Sequence, residues 1–413
     1  MSTHAATEAP VKQAPAQQKL PPGPRLPRFL QTIAFILAGP RFLEACRRRY
    51  GGAVTLGTLF DDKFVMLFDP ALVKELFQGP HDQLRAGEAN ALLGPVLGQR
   101  SVLLLDGSEH LRHRKLMLPH LHGQRMQAYA QTIQEATDRE IDSWPLGEPF
   151  ALLPTMQSLT LQVIMRAVFG YEPGPESDEL RSRLRAMVEP LSRPRGLPLM
   201  MLLGRLGSDR RGAAQQFDAR RREVDEILFG EIARRLSGHE TTATGLAWTF
   251  DLVLHSPEVL AKARVEGDEY LDAAVKEALR IRPVIPGVGR VVRGEPFRLN
   301  GYVIPPGVEI NPSIRMIHRR PDVYPDPAAF RPERFLSEDA PDTYTWVPFG
   351  GGTRRCLGAS FALMEMRIVL ARVLERVPLR PADPERERVQ FRAITLSPRN
   401  GTRVIQQSPP ASA

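Results

Sequence analysis

A chain of 413 residues, 42% hydrophobic and 25% charged, has the make-up of a globular protein, long enough for one large domain or two to three small ones. Lys and Arg outnumber Asp and Glu by 55 to 47, for a formal charge of +8, which suits acidic proteins, anionic lipid or nucleic acid as partners. The sequence has neither zinc-finger spacing nor basic repeats interleaved with aromatics, which argues against nucleic acid, and its two distant cysteines, Cys46 and Cys356, favour a reducing, cytoplasmic compartment over a disulfide framework.

Residues 1–19 are polar and Ala/Gln/Pro-rich, which reads as a disordered tail without a secretory signal. LPPGPR (20–25) is a proline-rich, extended lead-in. The apolar run FLQTIAFILAG (29–39) contains Gln31 and stops at Pro40, short of the roughly 20 residues of a membrane span. A packed amphipathic helix is expected there, with a membrane-surface helix as the alternative. A helix over Phe42–Arg49 follows, then a β-hairpin of Ala53–Leu59 and Lys63–Phe68 about Asp61-Asp62. Asp69-Pro70 opens a helix with Leu72, Val73, Leu76 and Phe77 on one face. In DGSEHLRHRKLMLPHL (106–121), His110 and Arg114 share a helical face, a pattern that also fits a solvated basic helix. Residues 125–235 are helical in pattern, with breaks at Pro145, Pro154, 170–175 and 193–198, and LTLQVIMRAVFG (159–170) is apolar enough all round to be buried. Residues 282–310 alternate between strands and turns, and no internal repeat is present.

The densest chemistry lies in WVPFGGGTRRCLGASFALMEMRIVL (346–370). Gly350, Gly351 and Gly352 allow a sharp turn and close approach to a large flat object. Arg354 and Arg355 precede Cys356, and an apolar helical pattern starts at Ala359. A thiol placed just before a helix N-terminus, with arginines beside it, is expected to ionise and act as a soft metal ligand. Taken alone, Cys356 could equally be an ordinary structural thiol. A phosphate-cradling loop is excluded because no Lys-Ser/Thr pair follows the glycines.

Phe349, Gly352, Arg354, Cys356 and Gly358 reproduce F-x-x-G-x-R-x-C-x-G and so resemble the cysteine loop of the cytochrome P-450 superfamily. SGHETT (237–242) is similar to the superfamily's oxygen-activation motif, with Ser237 in place of the commoner Ala. KEALR (276–280) followed by FRPERF (330–335) resembles its Glu-Arg-Arg network, here Glu277, Arg280 and Arg334. All motifs occur in the family's order.

The resemblance implies a mainly α fold with small β-sheets (α+β), one large haem domain over 20–405 between the tails 1–19 and 406–413, and haem b ligated by Cys356. By position, His110, Arg114, Arg290 and Arg354 would hold the haem propionates, and the loop within 85–105 would cover the haem. Gly238 would leave room for O₂, and Glu240 and Thr241 would pass the protons that let O–O cleavage release water. Glu277, Arg280 and Arg334 would brace the cysteine loop, and Val284, Ile285, Pro286 and Val288 would line an apolar substrate pocket. The implied activity is that of a monomeric bacterial monooxygenase acting on a lipophilic substrate, fed by a ferredoxin or flavodoxin with its reductase. Arg112, Lys115 and Arg355 would form the docking face. A peroxide-using or isomerising relative and a non-catalytic haem-binding paralogue are the other readings. The latter is motivated by the sequence just before Leu236, where a few tens of residues of the family layout are missing, and a smaller shortening is expected at 263–273.

Overall fold

The computed structural model describes residues 20–59, 61–94, 101–121, 125–169, 239–392 and 394–408. The N-terminal tail, the loop segment 95–100, the breaks at 170–175 and 193–198, Ser237, Gly238, the shortening before Leu236 and the last five residues lie outside them.

The N-terminal helix, Arg28–Tyr50, is interrupted at Ala38 (φ −133°, ψ 26°), two residues before Pro40. Proline lacks the N–H and its ring crowds the preceding turn, so the apolar run and the Phe42–Arg49 segment become two arms, as the sequence implied. The first arm departs from expectation: Phe29, Ile33, Ile36 and Leu37 are exposed, while Gln31 and Thr32 are buried. Gln31 donates to Leu26 O and accepts from Gly57 N, and Thr32 accepts from Leu59 N, which fixes that orientation.

Strands Ala53–Leu56 and Phe64–Leu67 pair antiparallel in the expected hairpin. They continue into a five-stranded sheet in which Glu309–Pro312, Arg290–Val292 and Leu84–Arg85 follow in that order. Helix Pro70–Gln78 is capped by the Asp69 carboxylate, which accepts from Ala71 N at 2.8 Å. It buries Leu72, Val73, Leu76 and Phe77 against this sheet.

The larger core gathers helices Arg125–Asp142, Leu152–Phe169, 239–254, Asp268–Ile281 and Ala359–Arg376. In the 239–254 helix, Leu246, Ala247, Phe250, Leu252 and Val253 are wholly buried, so it reads as a core helix on all sides. Gly245 lets it approach the Ala359–Arg376 helix, since a Cβ there would stand 3.1 Å from Met366 Cε. The apolar 159–170 segment is buried as expected at Leu159, Leu161, Val163, Ile164 and Met165. The cysteine loop lies on the seam of the two cores, with Val347 in the sheet-side cluster and Phe349 packed on the helical one.

Candidate active site

Gly350 and Gly352 both take φ of 65°, a conformation that disfavours any residue with a Cβ. A Cβ on Gly351 would lie 2.2 Å from the Phe77 ring, and one on Gly352 2.1 Å from the Phe77 carbonyl oxygen. These glycines therefore serve close packing on the C-terminal end of helix Pro70–Gln78. Gly358, by contrast, has nothing among the described residues within 4 Å of its Cβ position and faces open space. The loop closes through Cys356 N donating to Phe349 O at 3.0 Å, and Ala362 N donates to Gly358 O at 2.8 Å at the start of the following helix. The edges of Phe335, Trp346 and Phe349 stack in series, and Trp346 Nε1 anchors them to Lys276 O at 3.1 Å.

Cys356 has accessible surface, yet protein atoms surround it on its other sides. That burial raises the thiol pKa, while the Gly358 N–H, Arg114 and Arg355 pull it down. The helix terminus and the arginines act in the expected sense, but in the protein alone they are outweighed.

Around this loop the chain collects His110, Arg114, Arg290 and Arg354. Helix Gly107–Met117 presents His110 and Arg114 on one face, and Arg114 Nη1 donates to Arg355 O at 2.7 Å, tying the helix to the cysteine loop. Arg354 donates to Val102 O at 3.1 Å, to Leu105 O and to Asp106 Oδ1. Asp106 also accepts from Gly87 N at 2.9 Å and Glu88 N at 3.1 Å. Arg290 is buried, donates to Gly289 O at 2.8 Å and lies 5.5 Å from the Phe77 ring centroid. Burial, with repulsion from Arg354 added, pushes its pKa down to about 10. His110 is pushed down to about 4 by burial and by the nearby Arg354 and Arg114, so it is neutral at pH 7. Among the described residues, Asp106 is the one carboxylate bonded to this set, and the cluster carries excess positive charge in a buried setting.

Behind the loop sits a second, closed network. Glu277 and Arg280 are fully buried and pair twice, Nε to Oε2 at 2.6 Å and Nη2 to Oε1 at 2.8 Å. Arg334 Nε reaches Glu277 Oε1 at 3.3 Å, and Arg331 N donates to the same oxygen at 3.1 Å. Arg280 also donates to the carbonyls of His318, Pro327 and Ala329, and its guanidinium lies 4.8 Å from the Tyr324 ring centroid. His318 completes the brace. Its Nε2 accepts from Val347 N at 2.9 Å, so its Nδ1 carries the proton donated to Arg280 O at 3.2 Å.

Glu240 and Thr241 stand in the first turn described of the central helix. Glu240 Oε1 accepts from Gln157 Nε2 at 3.4 Å and lies 3.9 Å from Arg392 Nε. Val288 approaches Gly350, whose Cβ would meet it at 3.8 Å, whereas Val284 belongs to the helical core and its carbonyl accepts from Leu396 N at 2.7 Å. Ile285 and Pro286 are half-buried between them. The motif reading missed Asp106 as the partner of Arg354, the Gln157 and Arg392 contacts of Glu240, and His318. Asp106-Gly107 marked a helix start, but a lone His in MIHRR carried no signal.

A sulfur ligand beside an excess of cations is what an iron porphyrin requires, since the metal takes the thiolate and the propionates take the arginines. The open space at Gly358 and the unmatched charge of Arg290 fit that group, which places the molecule among the haem-thiolate proteins. The cytochrome P450 family model matches residues 21–203 and 199–403. The chain therefore belongs to the cytochrome P450 family and, with it, binds haem b. It is similar to cytochrome P450 135B1 of Mycobacterium tuberculosis, 36% identical over 435 residues that cover 93% of this chain and 91% of the relative. Cytochrome P450 138 of the same species is 36% identical over 437, covering 95% and 98%. That alignment is longer than the 413 residues present here, so the relative carries residues without a counterpart. Among solved structures, CYP175A1 from Thermus thermophilus superposes with a TM-score of 0.77 at 27% identity, covering 91% of this chain and 96% of that one.

Proposed function

We propose that this P450 inserts one oxygen atom from O₂ into a lipophilic organic substrate, using electrons delivered by a separate ferredoxin or flavodoxin with its reductase. The observation that carries the reading is the arginine cluster around Cys356, which among the described residues lacks matching carboxylates although it is partly or wholly buried. Cys356 is the iron ligand, and His110, Arg114, Arg290 and Arg354 hold the propionates, with Asp106 aiming Arg354. Bound haem supplies oxygen activation and transfer to carbon. Glu240 and Thr241 move protons into the site, and Gln157 and Arg392 hold Glu240 in place for that role. Gly238, which lies outside the described residues, is assigned the O₂ side of the haem by its place in the SGHETT motif alone, and Val284, Ile285 and Val288 offer apolar contacts to the substrate. Glu277, Arg280 and Arg334 brace the loop. Arg112, Lys115 and Arg355 are exposed on the helix and loop that Arg114 joins, which supports docking of an acidic electron donor there.

The test is the absorption spectrum of the purified, reduced protein under carbon monoxide. A strongly red-shifted Soret band that disappears in Cys356→Ala is expected. A band typical of histidine or neutral-thiol ligation would overturn the reading. In the same preparation, reduction by ferredoxin slows as salt is raised, and salt-independent reduction would remove the basic face from the account.

A further inference from the structure

The first arm of the N-terminal helix, 28–37, is turned inside out. A helix on a water-soluble surface buries its apolar stripe and shows its polar side to solvent. Here Phe29, Leu30, Ile33, Ile36 and Leu37 share one helical face and all are exposed, Ile36 at 65% and Leu37 at 80%, with Leu26 exposed just ahead of the helix. The polar residues face the protein. Gln31 donates to Leu26 O at 2.8 Å and Pro24 O at 3.3 Å, and accepts from Gly57 N at 3.1 Å. Thr32 accepts from Leu59 N at 2.9 Å and donates to Arg28 O at 2.9 Å. Phe35, partly exposed, packs edge-to-face with Phe64, ring centroids 6.4 Å apart. These bonds lock the rotation of the arm, so the apolar stripe cannot turn inward.

We infer that this stripe is a docking surface for an anionic lipid bilayer. Exposed Arg25 and Arg41 bracket it, one before Leu26 and one after Leu37, a charge arrangement that matches acidic headgroups on either side of an apolar strip, while Arg28 is committed to Asp62 and the Thr58 carbonyl. The interruption at Ala38 limits the straight arm to residues 28–37, about 15 Å of helix at 1.5 Å per residue. That is about half the hydrocarbon thickness, so the arm lies along the interface and does not cross it. Seated this way, the protein stands at the phase in which lipophilic molecules accumulate.

The experiment is co-sedimentation of the haem-loaded, full-length protein with vesicles of phosphatidylcholine alone or of equimolar phosphatidylcholine and phosphatidylglycerol. Binding to the mixed vesicles is expected, with weaker binding to the neutral ones. The double substitution Ile36→Glu/Leu37→Glu should weaken partition by about tenfold or more, since two apolar side chains leave the interface and two like charges enter. Its carbon monoxide spectrum should match that of the parent, because neither position touches the haem-binding residues. Failure to bind either vesicle, or equal binding by parent and variant, would overturn the inference. So would a dimer in lipid-free sedimentation velocity that the double variant converts to monomer, since a second copy would then be what covers the stripe.

Discussion

Arg280 and Arg290 are both buried, at 0% and 6% exposure, and the protein treats them in opposite ways. Arg280 is saturated: two bonds to Glu277, three to backbone carbonyls and the Tyr324 face account for its charge and its donors. Arg290 has the Gly289 carbonyl and the Phe77 ring, no carboxylate bonded to it among the described residues, and Arg354 close enough to repel it. A buried charge fully met by the protein is part of the scaffold. One that the protein leaves unmet destabilises the chain alone and becomes an asset once an anion binds. The two networks flank one loop, so under the proposed function the same residue type would serve once to hold Cys356 in place and once to receive the group that Cys356 ligates.

The largest effect should come from opening the closed network. Glu277→Ala strands Arg280 in the core, and loss of one partner of a buried pair costs about 3–5 kcal/mol. Urea unfolding should register this in apoprotein and haem-loaded protein alike, and little soluble haem protein should accumulate. The matching change in the open network, Arg290→Met, should behave differently. Apoprotein stability should be unchanged or higher, because an uncompensated charge leaves a buried site. Haem release to apomyoglobin should quicken by about tenfold to a hundredfold, the equivalent of about 1.5–3 kcal/mol of charged hydrogen bonding. If Arg290→Met lowers apoprotein stability as Glu277→Ala does, the contrast between the two arginines fails.

Much of this architecture was legible because its signals are local. The Asp69-Pro70 helix start, the Ala53–Phe68 hairpin and the Pro40 break follow from caps, turns and proline geometry within a few residues. The cysteine loop and the Glu277–Arg280 pair could be read because fixed spacings carry them. What the sequence hid was set by tertiary partners. Nothing near Gly351 announces that Phe77, far upstream, forbids a side chain there. The N-terminal arm has an apolar pattern that fits burial and exposure equally well, and the hydrogen bonds of Gln31 and Thr32 decided between them.

His318 offers the finest test, because it belongs to the closed network yet reaches the cysteine loop. Its ring is held neutral, with Nε2 accepting from Val347 N and Nδ1 donating to Arg280 O. Burial, and then Arg280, push its pKa down from the ordinary 6.5 to about 3. The unfolded chain therefore takes up this proton at a higher pH than the folded one. Its contribution is fully present above about pH 6.5 and is lost progressively as pH falls toward about 3. His318→Gln should cost about 1–2 kcal/mol at pH 7.5, since glutamine replaces the bonds imperfectly. It should also flatten the loss of stability between pH 6 and 4 by up to one proton, about 1.4 kcal/mol per pH unit. His110, pushed down to about 4 in the open cluster, titrates over part of the same range and leaves a residual slope. The measurement is the urea-unfolding free energy across that range in parent and variant. An unchanged slope would mean that His318 is not a site of acid uptake on unfolding, and that the brace reaches Val347 by shape alone.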